Sequence, residues 1–290
     1  MKTKVFLITV FLCVIFTTNA QTISDTTLVQ IETQDGNEFI GTVILEDSEK
    51  IILKTANFGD ISILKSNVKS TKEVTVQQIK DGKLWFANPQ STRYFWSPNG
   101  YGLKKGEGYY QNIWVLWNQF AYGLTENFSI GGAIVPLFLF GGAPTPLFGT
   151  VKLSIPLDKE KINLAAGAIA GTVLGESESS FGILYGLSTF GSPDNNVSLG
   201  LGFGFGGGEI ASTPVVNLNG MFRLSSRWYF LTENYYINIE DENVGMISLG
   251  SRWIIKKAAL DFGLFFPVVD AGSFIGIPWL GMTVPFGNTN

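Results

Sequence analysis

Val197-Ser198-Leu199-Gly200-Leu201-Gly202-Phe203-Gly204-Phe205-Gly206 alternates a large apolar side chain with glycine or serine at every step. A period of two puts Val197, Leu199, Leu201, Phe203 and Phe205 on one face of a strand and the small residues on the other. The phase recurs along the chain. Leu147, Val151, Leu153 and Ile155 oppose Thr150, Lys152 and Ser154; Val216, Leu218, Phe222 and Leu224 oppose Asn217, Asn219 and Arg223; Ile247, Leu249, Trp253 and Ile255 oppose Ser248, Gly250, Arg252 and Lys256. The greasy face is continuous, and the other face is small rather than charged. A solvated outer face normally carries many Lys and Glu, so the pattern favours strands with lipid on the apolar side.

Strands are predicted near 109–124, 127–139, 146–157, 161–174, 180–191, 195–206, 213–225, 228–239, 244–256, 258–268 and 274–286. Their length suits tilted bilayer-spanning strands, which need roughly 9–11 residues. Aromatics gather near their ends, at Tyr109-Tyr110, Trp114 to Trp117, Phe138 to Phe140, Trp228-Tyr229-Phe230, Tyr235-Tyr236 and Phe265-Phe266, as interfacial girdles do. Tight turns at 125–127, 158–160, 192–195, 225–227 and 256–257 alternate with longer connections. With tight turns periplasmic, a strand at 109–124 runs inward and needs an earlier crossing. Thr92 to Leu103 supplies it and brings the count to twelve, within a range of 10–12, since single-chain bacterial barrels have even strand numbers.

Composition agrees. The chain has 290 residues with 34 Gly, 23 Phe, 9 Tyr and 7 Trp, only 15% charged residues, and a net charge of −4. That charge, with no long Lys or Arg run, excludes nucleic acid as a partner. Residues 1–20 have the charged, apolar and small-residue layout of a cleaved signal peptide, and the one cysteine, Cys13, lies within it. Residues 21–80 hold 9 acidic and 6 basic groups, a denser charge than the rest. Short strands are predicted there at Thr27 to Thr33, Glu38 to Leu45, Lys50 to Thr55, Ile61 to Leu64 and Thr71 to Val76, with a short helical turn at 66–68.

Two resemblances follow. Residues 24–78 resemble a five-stranded Sm-like or SH3-like small barrel, with Gly36, Gly41 and Asp47 at the glycines and aspartate of the first Sm motif. Ile51 stands where that motif has its base-contacting asparagine, and the Arg-Gly pair of the second motif has no counterpart near Lys65-Ser66, which argues against RNA binding. Residues 88–287 resemble outer-membrane β-barrel proteins of Gram-negative bacteria in pattern, although Phe286 is followed by Gly287-Asn288-Thr289-Asn290 instead of ending the chain. The implied architecture is all-β. It places the barrel in the outer membrane and the small module in the periplasm, with outer-membrane lipid, the barrel-assembly machinery and a periplasmic protein as the partners to expect.

Chemistry is sparse. Histidine is absent, so the general base of most enzymatic barrels is missing, and no enzyme, cofactor or metal is expected. Glu176/Glu178 and Glu240-Asp241-Glu242 lack calcium-loop spacing and read as solvated acidic turns. Gly202 to Gly208 lacks a following Lys-Ser/Thr and is strand-periodic, not a phosphate loop. Function is expected in the lumen, where Lys152, Arg223, Arg252, Lys256 and Asp261 point inward. Glu233 is placed there too, near a periplasmic end and paired with an arginine, because a lipid-facing carboxylate is costly. If these charges pair they form a plug, and if they line a gap they favour anions. The expected function is a small pore or passive transporter. The alternative is a structural anchor whose small barrel binds a periplasmic partner.

Overall fold

The computed structural model describes residues 28–74, 78–80, 83–158, 161–176, 180–239, 242–268 and 276–288. The signal-peptide reading of 1–20 therefore lies outside the described residues. The chain divides into two compact units, Met1–Val76 and Gln77–Asn290.

The first unit is a five-stranded antiparallel sheet of β1 (Leu28–Thr33), β2 (Glu38–Glu46), β3 (Lys50–Thr55), β4 (Gly59–Leu64) and β5 (Val68–Val74), in the order β4-β3-β2-β1-β5. A single 3-10 turn, Lys65–Asn67, links β4 to β5. Val29, Ile31, Ile51, Leu53 and Ile63 form its core. Gly36 turns the β1–β2 hairpin at φ +85°, and a Cβ on Gly41 would meet the Lys54 carbonyl of β3 at 2.2 Å, so this bent crossing requires glycine. Asp47 accepts from the Glu49 and Lys50 amides at 2.8 Å each, which closes the β2–β3 turn.

The second unit begins with a two-residue ribbon, β6 (Ile79–Lys80) and β7 (Lys83–Leu84). Its body is a closed antiparallel barrel of twelve strands. These are β8 (Glu107–Ile113), β9 (Trp117–Gly123), β10 (Phe128–Ile134), β11 (Thr145–Asp158), β12 (Ile162–Leu174), β13 (Phe181–Gly191), β14 (Asn195–Gly206), β16 (Val215–Arg223), β17 (Trp228–Ile239), β18 (Glu242–Ile255), β19 (Ala258–Val268) and β20 (Ile277–Gly287). A short β15 (Glu209–Ile210) folds back on β14, and α1 (Pro136–Phe140) caps the β10–β11 connection. Sequential neighbours pair throughout, and β20 pairs with β8 to close the ring.

The phase of burial is inverted relative to a water-soluble sheet. On β14, Val197, Leu199, Leu201 and Phe203 are exposed, whereas Asn196, Ser198, Gly200 and Gly202 are buried. On β11, Leu147, Val151, Leu153 and Ile155 are exposed and Ser154 is buried. An apolar band therefore encircles a closed cylinder with no free edge, the arrangement that lets strands cross lipid. Stacked Trp228 and Trp253, 5.6 Å apart, belong to its aromatic girdle at the tight-turn end. Tyr109, Tyr229 and Phe265, grouped with the girdles on sequence, instead point inward and are buried.

The count of twelve arises differently from the sequence expectation. Residues 109–124 are not one strand. They form the β8–β9 hairpin, reversing at Trp114-Val115-Leu116, with Trp114 and Val115 at φ 52° and 65°. Left-handed backbone is an outlier for a β-branched residue. The Trp114 amide and indole anchor this turn on β20, donating to the Leu280 and Pro278 carbonyls at 2.9 and 2.7 Å. Nor is Thr92 to Leu103 a wall strand; it lies inside. Both ends of the barrel ribbon, Glu107 and Gly287, still fall at the end carrying the tight turns, because the strand count is even.

Candidate functional site in the barrel interior

Residues 85–104 enter the barrel as a re-entrant hairpin. The Tyr94 amide donates to the Ser97 carbonyl at 3.0 Å and the Asn99 amide to the Thr92 carbonyl at 3.1 Å. Ser97-Pro98-Asn99-Gly100 carries the return limb. Tyr94, Phe95 and Asn99 are completely buried.

Room for this insertion comes from the small inward face. Gly250 of β18 pairs with Gly263 of β19, and a Cβ on either would lie 2.8 or 3.1 Å from Phe95 Cζ. The Phe95 ring thus sits in a two-glycine notch and packs on Phe265 and Trp279, with ring centres 5.4 and 5.6 Å away. Gly100 similarly passes the Asn163 backbone, where a Cβ would meet its carbonyl at 2.5 Å.

Interior charges fasten the hairpin. Arg252 Nε and NH2 donate to Asp261 Oδ1 and Oδ2 at 2.7 and 2.8 Å, while NH1 and NH2 donate to the Gln90 and Tyr94 carbonyls at 2.6 and 2.7 Å. Glu233 is buried mid-strand, not near an end of the barrel as expected, and no arginine pairs with it among the described residues. It accepts from the Trp96 and Ser97 amides at 2.9 and 3.0 Å and from the Tyr235 hydroxyl at 2.6 Å. Backbone amides at a tight reversal are otherwise unpaired donors, which is why a carboxylate suits the tip. Arg223, near the tight-turn end, pairs with Asp194 at 2.7 Å and donates to the Phe86 carbonyl at 2.7 Å. Lys152 Nζ donates to the Tyr101 and Thr92 carbonyls at 2.5 and 3.3 Å.

Lys256 is the exception among the expected interior residues. It occupies the β18–β19 turn at φ 57° and is exposed, because strand alternation ends at Ile255. Of the acidic turn residues, Glu176 follows β12, while Glu178, Glu240 and Asp241 lie outside the described residues.

Several fastening residues carry no sequence signal of their own. The Tyr94 hydroxyl donates to Asn196 at 2.7 Å and lies 2.6 Å from Ser198 Oγ; the Gly100 amide donates to Thr189 at 2.7 Å; Gln111 donates to the Phe95 carbonyl at 2.8 Å. The mixed polarity of β17 also has a cause. Thr232 and Asn234 bond across to Ser248, with the Thr232 hydroxyl donating to its carbonyl and the Asn234 carbonyl accepting its amide, at 2.7 and 3.1 Å. They bridge a gap in the recorded ladder between Leu231↔Gly250 and Tyr235↔Met246.

No protein-family model matches the chain, and no curated protein matches it. Among solved structures it is similar to one described as the KdgM porin in complex with disordered oligogalacturonate, at 8% identity and a TM-score of 0.46, covering 62% of this chain and 98% of that one. It is also similar to OprD of Pseudomonas aeruginosa, at 9% identity and a TM-score of 0.36, covering 91% and 94%. The geometry is that of a closed ring of strands with its apolar face outward. The second unit is a twelve-stranded transmembrane β-barrel.

Proposed function

We propose that the protein is a small outer-membrane pore, or passive transporter, held closed by its own inserted hairpin. One observation carries this reading: the lumen is filled by a separate piece of chain. Inward positions of β12 and β14 are mostly Gly, Ala, Asn and Ser, among them Asn163, Ala165, Gly167, Asn196, Ser198, Gly200 and Gly202, and a twelve-stranded ring with such a stretch of lining leaves space that its own side chains do not fill. The hairpin occupies that space through hydrogen bonds to wall residues such as Arg252, Glu233 and Thr189. Both of its limbs reach the tight-turn end, so the segment can withdraw without threading through the wall. The tight turns are periplasmic in this reading, as short turns are in outer-membrane barrels. The five-stranded first unit is then a periplasmic Sm-like or SH3-like small barrel. Its strand order and its 3-10 turn before β5 support that reading, and buried Ile51 in place of the base-contacting asparagine supports a protein partner rather than RNA.

A second reading is a non-conducting anchor for the small module, favoured by the fully buried Arg252–Asp261 pair at the hairpin. Swelling of liposomes carrying the purified full chain separates the two. A pore closed by the hairpin admits small sugars slowly as wild type and faster once the clamp is replaced by apolar residues. An anchor admits none in either form.

A further inference from the structure

Beside the hairpin, against the β8–β13 wall, lies a cavity of about 40 Å³, room for a few water-sized groups. Two cations line it, Lys152 from β11 and Arg93 from the hairpin, and its lining contains no Asp or Glu. Arg223 and Arg252 each have an acid partner, but neither Lys152 nor Arg93 enters an ion pair among the described residues. Lys152 spends two of its three protons on the Tyr101 and Thr92 carbonyls. Arg93 lies over the Tyr109 ring at 5.2 Å and makes one long bond from NH1 to Gln111 at 3.4 Å. Its Nε is buried without a hydrogen-bond partner among the described residues.

Two cations inside a barrel with no acid beside them carry a desolvation cost that two carbonyls on Lys152, and the Tyr109 ring and Gln111 on Arg93, offset only in part. We infer that this cavity is a binding site for a small carboxylate. One oxygen takes the Arg93 guanidinium, which lines the cavity. The other takes the remaining Lys152 proton. Gln119, Ser129 and Thr150 add polar lining. The apolar side is Trp96, 37% exposed although inside the barrel, edge-on to Trp117 at 6.1 Å. Trp117 starts β9 at the end opposite the tight turns. The buried cluster of Leu103, Tyr109 and Ala121 floors the cavity towards the tight-turn end, so the ligand enters from the opposite end. The site stands whether or not the hairpin ever withdraws, and so does not rest on the pore reading.

The test is a titration of the detergent-solubilised full chain with sodium acetate at fixed ionic strength, following tryptophan fluorescence. Acetamide serves as the neutral shape match and sodium chloride as the salt control. Acetate alone is expected to give a saturable change. Arg93→Gln and Lys152→Met should each weaken it about tenfold or more, the loss of a charge-assisted bond, and Arg93→Lys, which keeps charge without the fork, should fall between. Because Lys152 also ties two hairpin carbonyls, heat-modifiable gel mobility verifies folding of each variant, and the Arg93 variants decide the matter if Lys152→Met does not fold. A response that acetamide or chloride reproduces, or an Arg93→Gln variant binding acetate like wild type, overturns the inference.

Discussion

Arg252 on β18 and Asp261 on β19 face each other across one ladder rung, and the guanidinium that pairs with Asp261 also donates to two hairpin carbonyls. One buried ion pair therefore joins wall to plug. Asp261→Ala leaves the arginine charged and unpaired, which should cost about 3–5 kcal/mol. Urea unfolding followed by heat-modifiable gel mobility measures it. Arg252→Met with Asp261→Leu should recover most of that loss, since replacing both partners removes the stranded charge.

Glu233→Gln tests the hairpin tip. Gln keeps one oxygen for the Trp96 and Ser97 amides, but it turns its NH2 towards the Tyr235 hydroxyl, where an oxygen had accepted, and it removes the charge that strengthens both amide bonds. A loss of about 1–3 kcal/mol is expected, with faster amide exchange at Trp96 and Ser97. Unchanged exchange there would show that the carboxylate does not hold the tip.

The glycine notch makes a pairwise prediction. Gly263→Ala should destabilise the barrel by about 1–3 kcal/mol through overpacking against Phe95, and less in a Phe95→Leu background. The coupling in that double-mutant cycle measures the contact. Additive effects would place Phe95 elsewhere.

In the small module, acid is the probe. The Glu49 and Lys50 amides hold the Asp47 carboxyl below its ordinary value of 3.8, and the Thr33 hydroxyl does the same for Asp35. A carboxylate with a lowered folded pKa adds stability that is full above its unfolded value and is lost as pH falls through the folded one. Amide chemical shifts of Glu49 and Lys50 in the full chain should therefore hold steady down to about pH 4 and move below it. The Lys50 shift should lose that step in Asp47→Asn.

Much of the barrel was legible because lipid imposes one rule on every strand. Val197 to Phe203 follows it at every residue, and β14 spans that run. Two features escaped for local reasons. The Trp114-Val115-Leu116 reversal contains no Gly, Pro, Asn or Asp, and it exists because Trp114 bonds to β20, a contact that only the closed ring creates. The hairpin from 92 to 103 has enough aromatics to read as a wall strand, yet Ser97-Pro98-Asn99-Gly100 is a turn signal that a spanning strand does not carry. The inward charges pointed the same way. Arg252 and Asp261 were identifiable by phase, and Glu233 by the cost of a carboxylate facing lipid, but Arg252 and Glu233 also bind backbone groups of the hairpin, to which side-chain periodicity is blind.

Residues 85–104 are proposed to close the lumen, and planar-bilayer conductance reads that closure. Wild type should sit near baseline, and Arg252→Met/Asp261→Leu/Glu233→Leu, which frees the hairpin without stranding a charge, should show stable open steps. Steady large steps from the wild type, or silence from a folded clamp-free variant, would contradict it.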